Sequence, residues 1–188
     1  MLELKDGFML YHGSYCEVRK PNLDKCAKRK DFGQGFYLTS SKEQAESFLK
    51  TSINKALAAG EIENGQGYGY ISAFKFKSSR KLKIHVFENA NIEWLHCIAA
   101  HRKKKEFTEI EHDMEKYDVI AGKIADDATN ATLTAYLGEA FGPVGNKEAD
   151  EFCIKQLLPN KLKDQYCFKT EEALECLEFV RSEKIWLK

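Results

Sequence analysis

The sequence predicts an α+β chain, in which short strands and helices follow each other without strict alternation. Residues 8–12 and 36–39 are short apolar and aromatic runs next to glycines, which is typical of strands. Residues 45–57 carry apolar side chains at helical spacing, and Gly60 ends that run. Because helices do not separate the strands regularly, the pattern does not favour a doubly wound parallel sheet.

The remaining elements follow from the same periodicities and from capping residues. Further strands are expected at residues 70–76, 82–86, 117–122 and 165–168, which makes about six in all. Helices are expected after the capping residues Ser40 (with Glu43), Asn91 and Thr170, and over residues 133–141 and 149–157. The last helix is expected to carry Leu174, Leu177 and Val180, while Gly142-Pro143 and Pro159 end the two before it.

The composition indicates a soluble globular protein with one domain over residues 1–188. Apolar residues make up 43% of the chain and charged residues 31%, and the net charge is zero. A neutral chain is not typical of proteins that bind nucleic acids without specificity. Neither a signal peptide nor an apolar run of membrane-spanning length is apparent, so we expect a cytoplasmic protein without a membrane partner.

The cysteine and histidine spacings do not indicate a metal site. The six cysteines contain no Cys-x-x-Cys pair, which also excludes a thioredoxin motif. His96 and His101 lie on one expected helix but five residues apart, so they point in different directions. We therefore expect reduced thiols and no metal.

Three short segments carry residues suited to chemistry: Tyr-His-Gly-Ser at residues 11–14, Gly-Gln-Gly-Phe-Tyr-Leu-Thr at residues 33–39, and Gln-Tyr-Cys-Phe at residues 165–168. Each alone has a plain structural explanation, because a histidine at a strand end or a tyrosine in an apolar strand is more often part of the packing than of a site. Their order along the chain is more informative.

In that order, the segments resemble the His-Tyr-Glu class of ADP-ribosyltransferases, the class of diphtheria toxin and the poly(ADP-ribose) polymerases. The pattern is most similar to an uncharacterised bacterial family grouped with this superfamily, DUF3990. It covers nearly the whole chain and includes residues 31–39, 44–45, 94–102, 117–127 and Gln165 with Phe168. The resemblance implies two antiparallel sheets packed face to face around an NAD cleft, with helices on the flanks.

The resemblance also implies roles for individual residues around NAD. His12 would bond a ribose hydroxyl, the Gly13 backbone would reach the carboxamide, and the Tyr37 ring would pack on the nicotinamide. Phe48 would supply the opposite face of the nicotinamide site, although a core position on the Ala45 face of its helix explains it equally well. Three further residues would bind the cofactor: Ser14, Gly35 and Thr39.

Gln165 departs from the pattern of the His-Tyr-Glu class, which has a glutamate at the third position. A glutamine keeps an acceptor for the ribose hydroxyl, but it has no charge and cannot act as a general base. We therefore expect transfer of single ADP-ribose units rather than chain extension, to an acceptor that is a good nucleophile or brings its own base. Complete loss of transfer is the other outcome that the substitution allows.

Two charged groups have both a functional and a structural interpretation. Arg29, with Lys25, Lys28 and Lys30, lies in the loop that overhangs the NAD pyrophosphate in relatives, and Arg102 follows the Asn91 helix. These cations would pair with phosphates or with an acidic target, or would simply be solvated. Asp126 and Asp127 would do acid–base work on an acceptor, or would cap a helix that begins near Thr129.

The leading hypothesis is a mono-ADP-ribosyltransferase that modifies a protein or nucleic acid and releases nicotinamide. The alternative is a weakly active or inactive module that binds NAD or ADP-ribose. Such a module would suit a toxin–antitoxin or phage-defence pair, in which a cognate antitoxin or regulator is the partner. RNA 2′-phosphotransfer ranks last, because it needs more basic residues converging on one site than the sequence places there.

Overall fold

The computed structural model describes residues 4–63, 65–102, 107–124, 127–158 and 162–187. Its framework is a seven-stranded sheet built of β1 (Met9–Ser14), β2 (Phe36–Thr39), β3 (Tyr68–Phe76), β4 (Ile84–Val86), β5 (Val119–Lys123), β6 (Asp164–Phe168) and β7 (Leu177–Trp186). The strand order is β4-β5-β6-β2-β1-β3-β7. Only the β4–β5 pair is parallel, so the expected α+β class is confirmed.

The middle of the sheet is its narrowest part. β1 and β2 are joined by a single residue pair, Tyr11 with Thr39, whereas β1 and β3 pair over all six residues of β1. The resemblance implied two antiparallel sheets packed face to face. This expectation is corrected, because the seven strands form one hydrogen-bonded sheet. Because a single pair holds the two halves together, the backbones of β1 and β2 are free to diverge beyond it.

The helices and one 3-10 turn (Leu23–Lys25) connect and flank these strands. They are α1 (Lys42–Ser47), α2 (Leu49–Ala58), α3 (Ile92–Arg102), α4 (Thr108–Glu115), α5 (Asp127–Leu137), α6 (Lys147–Leu157) and α7 (Glu171–Glu175). The expected cap at Asn91 is confirmed, because its side chain accepts a hydrogen bond from the Trp94 amide at 3.0 Å. Within the described ranges, no helix is both long and apolar enough to span a membrane.

The helix after β2 differs from its prediction in two ways. Its N-cap is Ser41 rather than Ser40, since the Ser41 hydroxyl accepts a hydrogen bond from the Gln44 amide. The helix is also interrupted at Phe48, which caps α1 at its end and α2 at its start.

Two predictions about the second half of the chain were wrong, and one helix was missed. The last helix ends at Glu175, and the apolar pattern after it is β7, whose Leu177 and Phe179 pair with residues of β3. Leu177 and Phe179 alternate with exposed residues, but a register shift after Phe179 breaks this period, so the sequence shows little of the strand pattern. The helix α5 ends at Leu137, well before Gly142-Pro143, and α4 was not predicted.

A buried aspartate joins three helices on the side of α3, α5 and α6. Asp150 of α6 is 2% exposed, and its carboxylate accepts a hydrogen bond from the Tyr136 hydroxyl at 2.5 Å. It also contacts His96 Nε2 at 2.6 Å and accepts from the Gly145 amide at 3.2 Å. These bonds fix the packing of the helices against the loop between α5 and α6.

Candidate functional site

A cleft of about 1260 Å³ opens at the narrow middle of the sheet, where β1 and β2 separate. Its walls come from β1, the loop that follows β1, β2, the α1–α2 junction and β6. Nine of the expected site residues line it: His12, Gly13, Ser14, Gly35, Tyr37, Thr39, Phe48, Arg102 and Gln165. The volume exceeds that of ordinary drug-sized pockets, so the cleft has room for a larger ligand such as a dinucleotide.

His12 is held in one tautomer by the neighbouring strand. Its Nδ1–H donates to the Tyr37 carbonyl at 2.8 Å, and its ring packs on Phe36 with the centroids 4.4 Å apart. Burial lowers the pKa of His12, the bond to the Tyr37 carbonyl opposes this, and nearby Lys30 lowers the pKa further. The ring is therefore neutral at physiological pH, and Nε2 carries a lone pair that can accept a hydrogen bond from a ligand hydroxyl.

Tyr37 uses its hydroxyl group for the structure of the preceding loop. The hydroxyl donates to the Gly33 carbonyl at 2.8 Å and accepts from the Phe32 amide at 2.9 Å. Burial is the main reason that the pKa of Tyr37 lies well above its usual range. With the hydroxyl occupied, the ring is the part of Tyr37 that remains for contact with a ligand.

Gln165 is buried at the floor of the cleft and is fixed by two acceptors. Its Nε2 donates to Asp31 Oδ2 at 2.9 Å and to the Lys123 carbonyl at 3.0 Å. These two bonds use both hydrogens of the amide, and the side chain is only 5% exposed. The amide oxygen is therefore the group that Gln165 has left for a ligand.

Arg102 reaches the cleft but is paired with a carboxylate. Its Nε and Nη2 donate to Asp31 Oδ1 at 2.9 and 2.5 Å, and its Nη1 donates to Asn130 Oδ1 at 3.1 Å. Arg102 and Gln165 thus hold the two oxygens of the same aspartate, which is itself 6% exposed. The phosphate contact expected of Arg102 stays a prediction, and its observed partner is Asp31.

The glycines near the cleft are required by packing. A side chain on Gly13 would start 2.0 Å from the Ala45 carbonyl oxygen of α1, and one on Gly35 would start 2.5 Å from Cys167 Sγ. Gly33 adopts a φ of +83°, a conformation that L side chains rarely adopt. The glycines therefore let α1 and β6 approach the cleft strands. The ligand contacts expected of Gly13 and Gly35 stay predictions.

Phe48 is a wall of the cleft rather than a core residue. Its neighbours Ala45 and Leu49 are buried, whereas Phe48 is half-buried between two lysines. The ammonium of Lys55 lies 5.5 Å from its ring centroid and that of Lys30 lies 5.9 Å away. Burial, followed by repulsion from Lys55, lowers the pKa of Lys30. Two cations held around one ring make this wall attractive to an anion.

The other expected residues are placed as follows. Ser14 and Thr39 are buried in the cleft wall, and the Thr39 hydroxyl accepts from the Ser41 amide at 3.2 Å. Arg29 is exposed and does not line the cleft. Asp126 lies outside the described residues. The backbone of Asp127 begins α5, two residues before the helix start expected near Thr129, and its side chain also lies outside the described part.

Two residues of the cleft had not been identified as site residues from the sequence. Asp31 was named only as the first residue of the segment 31–39, and Lys55 was not singled out at all. The position of an aspartate directly before Phe-Gly-Gln-Gly gives little indication that its side chain is buried. The ion pair with Arg102 offsets the cost of burying it. In the described part of the chain, no three His, Cys, Asp or Glu side chains are grouped to hold a metal ion.

Comparison with known proteins identifies the family. The sequence profile described as "Protein of unknown function (DUF3990)" matches residues 8–179. No curated protein matches the chain significantly. Because the match spans the strands from β1 to the start of β7, the chain belongs to this family.

Proposed function

We propose that this member of the DUF3990 family is a mono-ADP-ribosyltransferase, which transfers ADP-ribose from NAD to a macromolecular acceptor. The bond between the nicotinamide nitrogen and the ribose C1 breaks, and nicotinamide leaves with the electron pair. A nucleophilic atom of the acceptor forms the new bond to C1 and loses its proton to a base on the acceptor or to water. The proposal includes membership of the ADP-ribosyltransferase superfamily, with one hydrogen-bonded sheet in place of the two sheets that the resemblance implied.

The observation that carries this proposal is the convergence of His12, Tyr37 and Gln165. The three residues are far apart in the sequence, yet all line one cleft of dinucleotide size. They offer complementary groups to a nicotinamide riboside: a lone pair on His12 Nε2, an aromatic ring on Tyr37 and an amide oxygen on Gln165. Groups fixed in this way would orient both the ribose and the leaving group before the bond breaks.

The cationic wall of the cleft, formed by Phe48 with Lys30 and Lys55, favours a ligand that carries phosphates. Lys30 and Lys55 both lie near the Phe48 ring, and burial, followed by repulsion from Lys55, lowers the pKa of Lys30. A pyrophosphate between the lysines would replace this repulsion with two attractive contacts. We propose that the phosphates of NAD lie at this wall and that Phe48 packs against the ligand.

A second candidate function is a module that binds NAD or ADP-ribose without turnover. It is favoured by the charge pattern at the cleft floor, where Gln165 is neutral and the carboxylate of Asp31 is paired with Arg102. Neither group is a free base for activating an acceptor. Such a module would act with a cognate antitoxin or regulator. For either function we propose a cytoplasmic location, which agrees with six free cysteines.

The test is the release of nicotinamide from NAD, measured by chromatography with and without cell lysate. We expect release that depends on lysate, and a fall of about 100-fold or more in His12→Ala and Gln165→Ala. His112→Ala is the matched control, because His112 is 86% exposed in its side chain on α4 and does not line the cleft. Labelled NAD then identifies the acceptor.

Each other outcome has a definite meaning. Release without lysate would indicate hydrolysis of NAD instead of transfer. Binding of NAD by calorimetry without release would favour the binding module. If neither NAD nor ADP-ribose binds, both candidate functions are wrong. An unchanged rate in Gln165→Ala would remove Gln165 from the proposed site.

A further inference from the structure

We propose that Asp31 is the positioning residue of this site, and that the site is built for glutamine rather than glutamate at position 165. Asp31 holds the amide nitrogen of Gln165 so that its oxygen faces the ligand. The functional part of this inference rests on the proposed function, whereas its structural part can be tested without NAD.

The hydrogen-bond geometry around Gln165 carries the inference. The two groups that contact its Nε2 are the Asp31 carboxylate and the Lys123 carbonyl, at 2.9 and 3.0 Å. Both are acceptors only, and an amide NH₂ has two hydrogens to give them. An ionised glutamate in the same place would bring a third acceptor with no hydrogen to share. The surroundings therefore select an amide.

The position of Asp31 is itself fixed from the opposite side. Its Oδ1 accepts two bonds from Arg102, and Arg102 is oriented in turn by Asn130. Asp31 and Gln165 are 6% and 5% exposed, so water competes little for these bonds. A chain of bonds thus runs from α5 through α3 and the loop before β2 to the floor of the cleft. The negative charge that relatives carry on glutamate lies here on Asp31, one side chain further from the ligand.

The charge of Asp31 is surrounded mainly by cations and neutral groups. Among the described residues, the charged or titratable groups near it include Arg102, Lys30, His101, Tyr37, Cys97 and Cys167. Burial raises the pKa of Cys97 and of Cys167 to about 12, and burial lowers the pKa of His101. These last three groups stay neutral at physiological pH. A second carboxylate at position 165 would therefore share the cations Arg102 and Lys30 with Asp31 and would lie beside its negative charge.

The structural arm of the test compares Gln165→Glu with wild type in thermal unfolding from pH 5 to pH 8. Repulsion from Asp31 and the Lys123 carbonyl raises the pKa of the introduced carboxyl group. When protonated it can still donate to Asp31, so its melting temperature stays near that of wild type at pH 5. As the pH rises the proton is lost, and by pH 8 the melting temperature falls about 5 °C or more below wild type.

The double variant Asp31→Asn/Gln165→Glu restores a donor opposite the introduced carboxylate. We expect it to regain about half of the loss at pH 8, since the Lys123 carbonyl stays unfavourable. The inference would be overturned if the difference in melting temperature between Gln165→Glu and wild type did not change with pH. It would also be overturned if the double variant were no more stable than Gln165→Glu alone. Both readouts are made without NAD, so they stand even if NAD is not the ligand.

The functional arm uses Asp31→Asn, which keeps the shape of the side chain. Its oxygen remains with Arg102, and its NH₂ then faces the NH₂ of Gln165, so the Gln165 amide turns over and presents hydrogens to the ligand. We expect kcat for nicotinamide release to fall about 10-fold or more while KM changes less than about 3-fold. If kcat stays at the wild-type value and kcat/KM falls only because KM rises, Asp31 only supports the fold. Absence of nicotinamide release by the wild-type protein would instead count against the proposed function.

Discussion

Two buried aspartates organise two regions of this molecule, and they differ in what their partners face. Asp150 bonds His96, Tyr136 and the Gly145 amide between α3, α5 and α6. Asp31 bonds Arg102 and Gln165 beside the cleft. The exposed fractions are similar, at 2% and 6%. What differs is that Arg102 and Gln165 line the cleft, whereas His96, Tyr136 and Gly145 do not.

The comparison teaches that a buried charge by itself does not mark a functional site. Both aspartates offset the cost of burial with charge-assisted hydrogen bonds, as buried carboxylates generally must. At Asp150 the three bonds hold α3, α5 and α6 together with the loop between α5 and α6. At Asp31 the bonds fix the amide nitrogen of Gln165 and leave its amide oxygen as the acceptor for a ligand. The predictions below separate these two roles, and they run from the largest expected effect to the smallest.

Removal of the helical aspartate should give the largest loss of stability. In Asp150→Ala the Tyr136 hydroxyl and His96 Nε2 lose their partner inside the helix packing, and the Gly145 amide keeps only its bond to the Tyr136 hydroxyl. We expect a loss of about 3–5 kcal/mol in the free energy of unfolding, measured with denaturant. NAD affinity should be unchanged under conditions where the variant is folded. Glu151→Ala, on an exposed position of the same helix, is the control and should stay near wild type. A large loss of NAD affinity in folded Asp150→Ala would contradict the comparison.

Removal of the Tyr37 hydroxyl should weaken the loop before β2. Tyr37→Phe leaves the Phe32 amide and the Gly33 carbonyl without their partner, which costs about 1–3 kcal/mol in the free energy of unfolding. The ring stays in the cleft, so nicotinamide release should fall by less than about 5-fold at a temperature where the variant is folded. Tyr37→Ala, which also removes the ring, should lose far more. Equal activity losses in the two variants would assign the function to the hydroxyl.

The cationic wall should contribute to affinity rather than to stability. Lys55→Ala removes one of the two cations beside Phe48, and we expect NAD to bind about 10-fold more weakly in calorimetry. The difference should shrink at high salt, where the attraction is screened. Lys50→Ala changes an exposed lysine of the same helix outside the cleft, and its affinity should match wild type. If both variants bind equally well, the phosphates lie elsewhere.

The pH dependence of NAD binding should report on His12. Burial lowers the pKa of His12 below its ordinary value of 6.5, so Nε2 keeps its lone pair at and above that pH. Affinity should therefore be constant from pH 8 to about 6.5 and should fall on further acidification. The His12→Gln variant has no group that titrates here and should lack this fall. A wild-type affinity that rises on acidification would mean that charged His12 binds the ligand.

The stability of the protein should change with pH in the same direction. A histidine whose pKa is lowered by folding contributes stability that is present above its unfolded pKa and is lost as the pH falls through the folded value. Burial lowers the pKa of His85 and of His101 as well as that of His12. Unfolding experiments therefore report the three together, and only ligand binding isolates His12.

The elements that the sequence predicted well are those that a local pattern can specify. The Asn91 cap and the run Phe36–Thr39 were placed correctly, because a capping side chain and a glycine-bounded apolar run act over a few residues. The strand β7 was missed, because it is defined by its pairing with β3, about a hundred residues earlier in the chain. The interruption at Phe48 was missed for a similar reason: it depends on how α1 and α2 pack on β1 and β3.

The site shows the same division. The sequence by itself determined which side chains are available, namely His12, Tyr37 and an uncharged Gln165, since residue type fixes donors, acceptors and charge. Only the tertiary structure decided that Tyr37 uses its hydroxyl group for the loop and that Gln165 is held by Asp31. The bonds of Asp31 to Arg102 and Gln165 join residues 71 and 134 positions apart, and such bonds leave no period in the sequence. They form only when the sheet brings β2 and β6 together and α3 carries Arg102 to the cleft. The bonds of the Tyr37 hydroxyl are local, but they depend on the path that the loop before β2 takes.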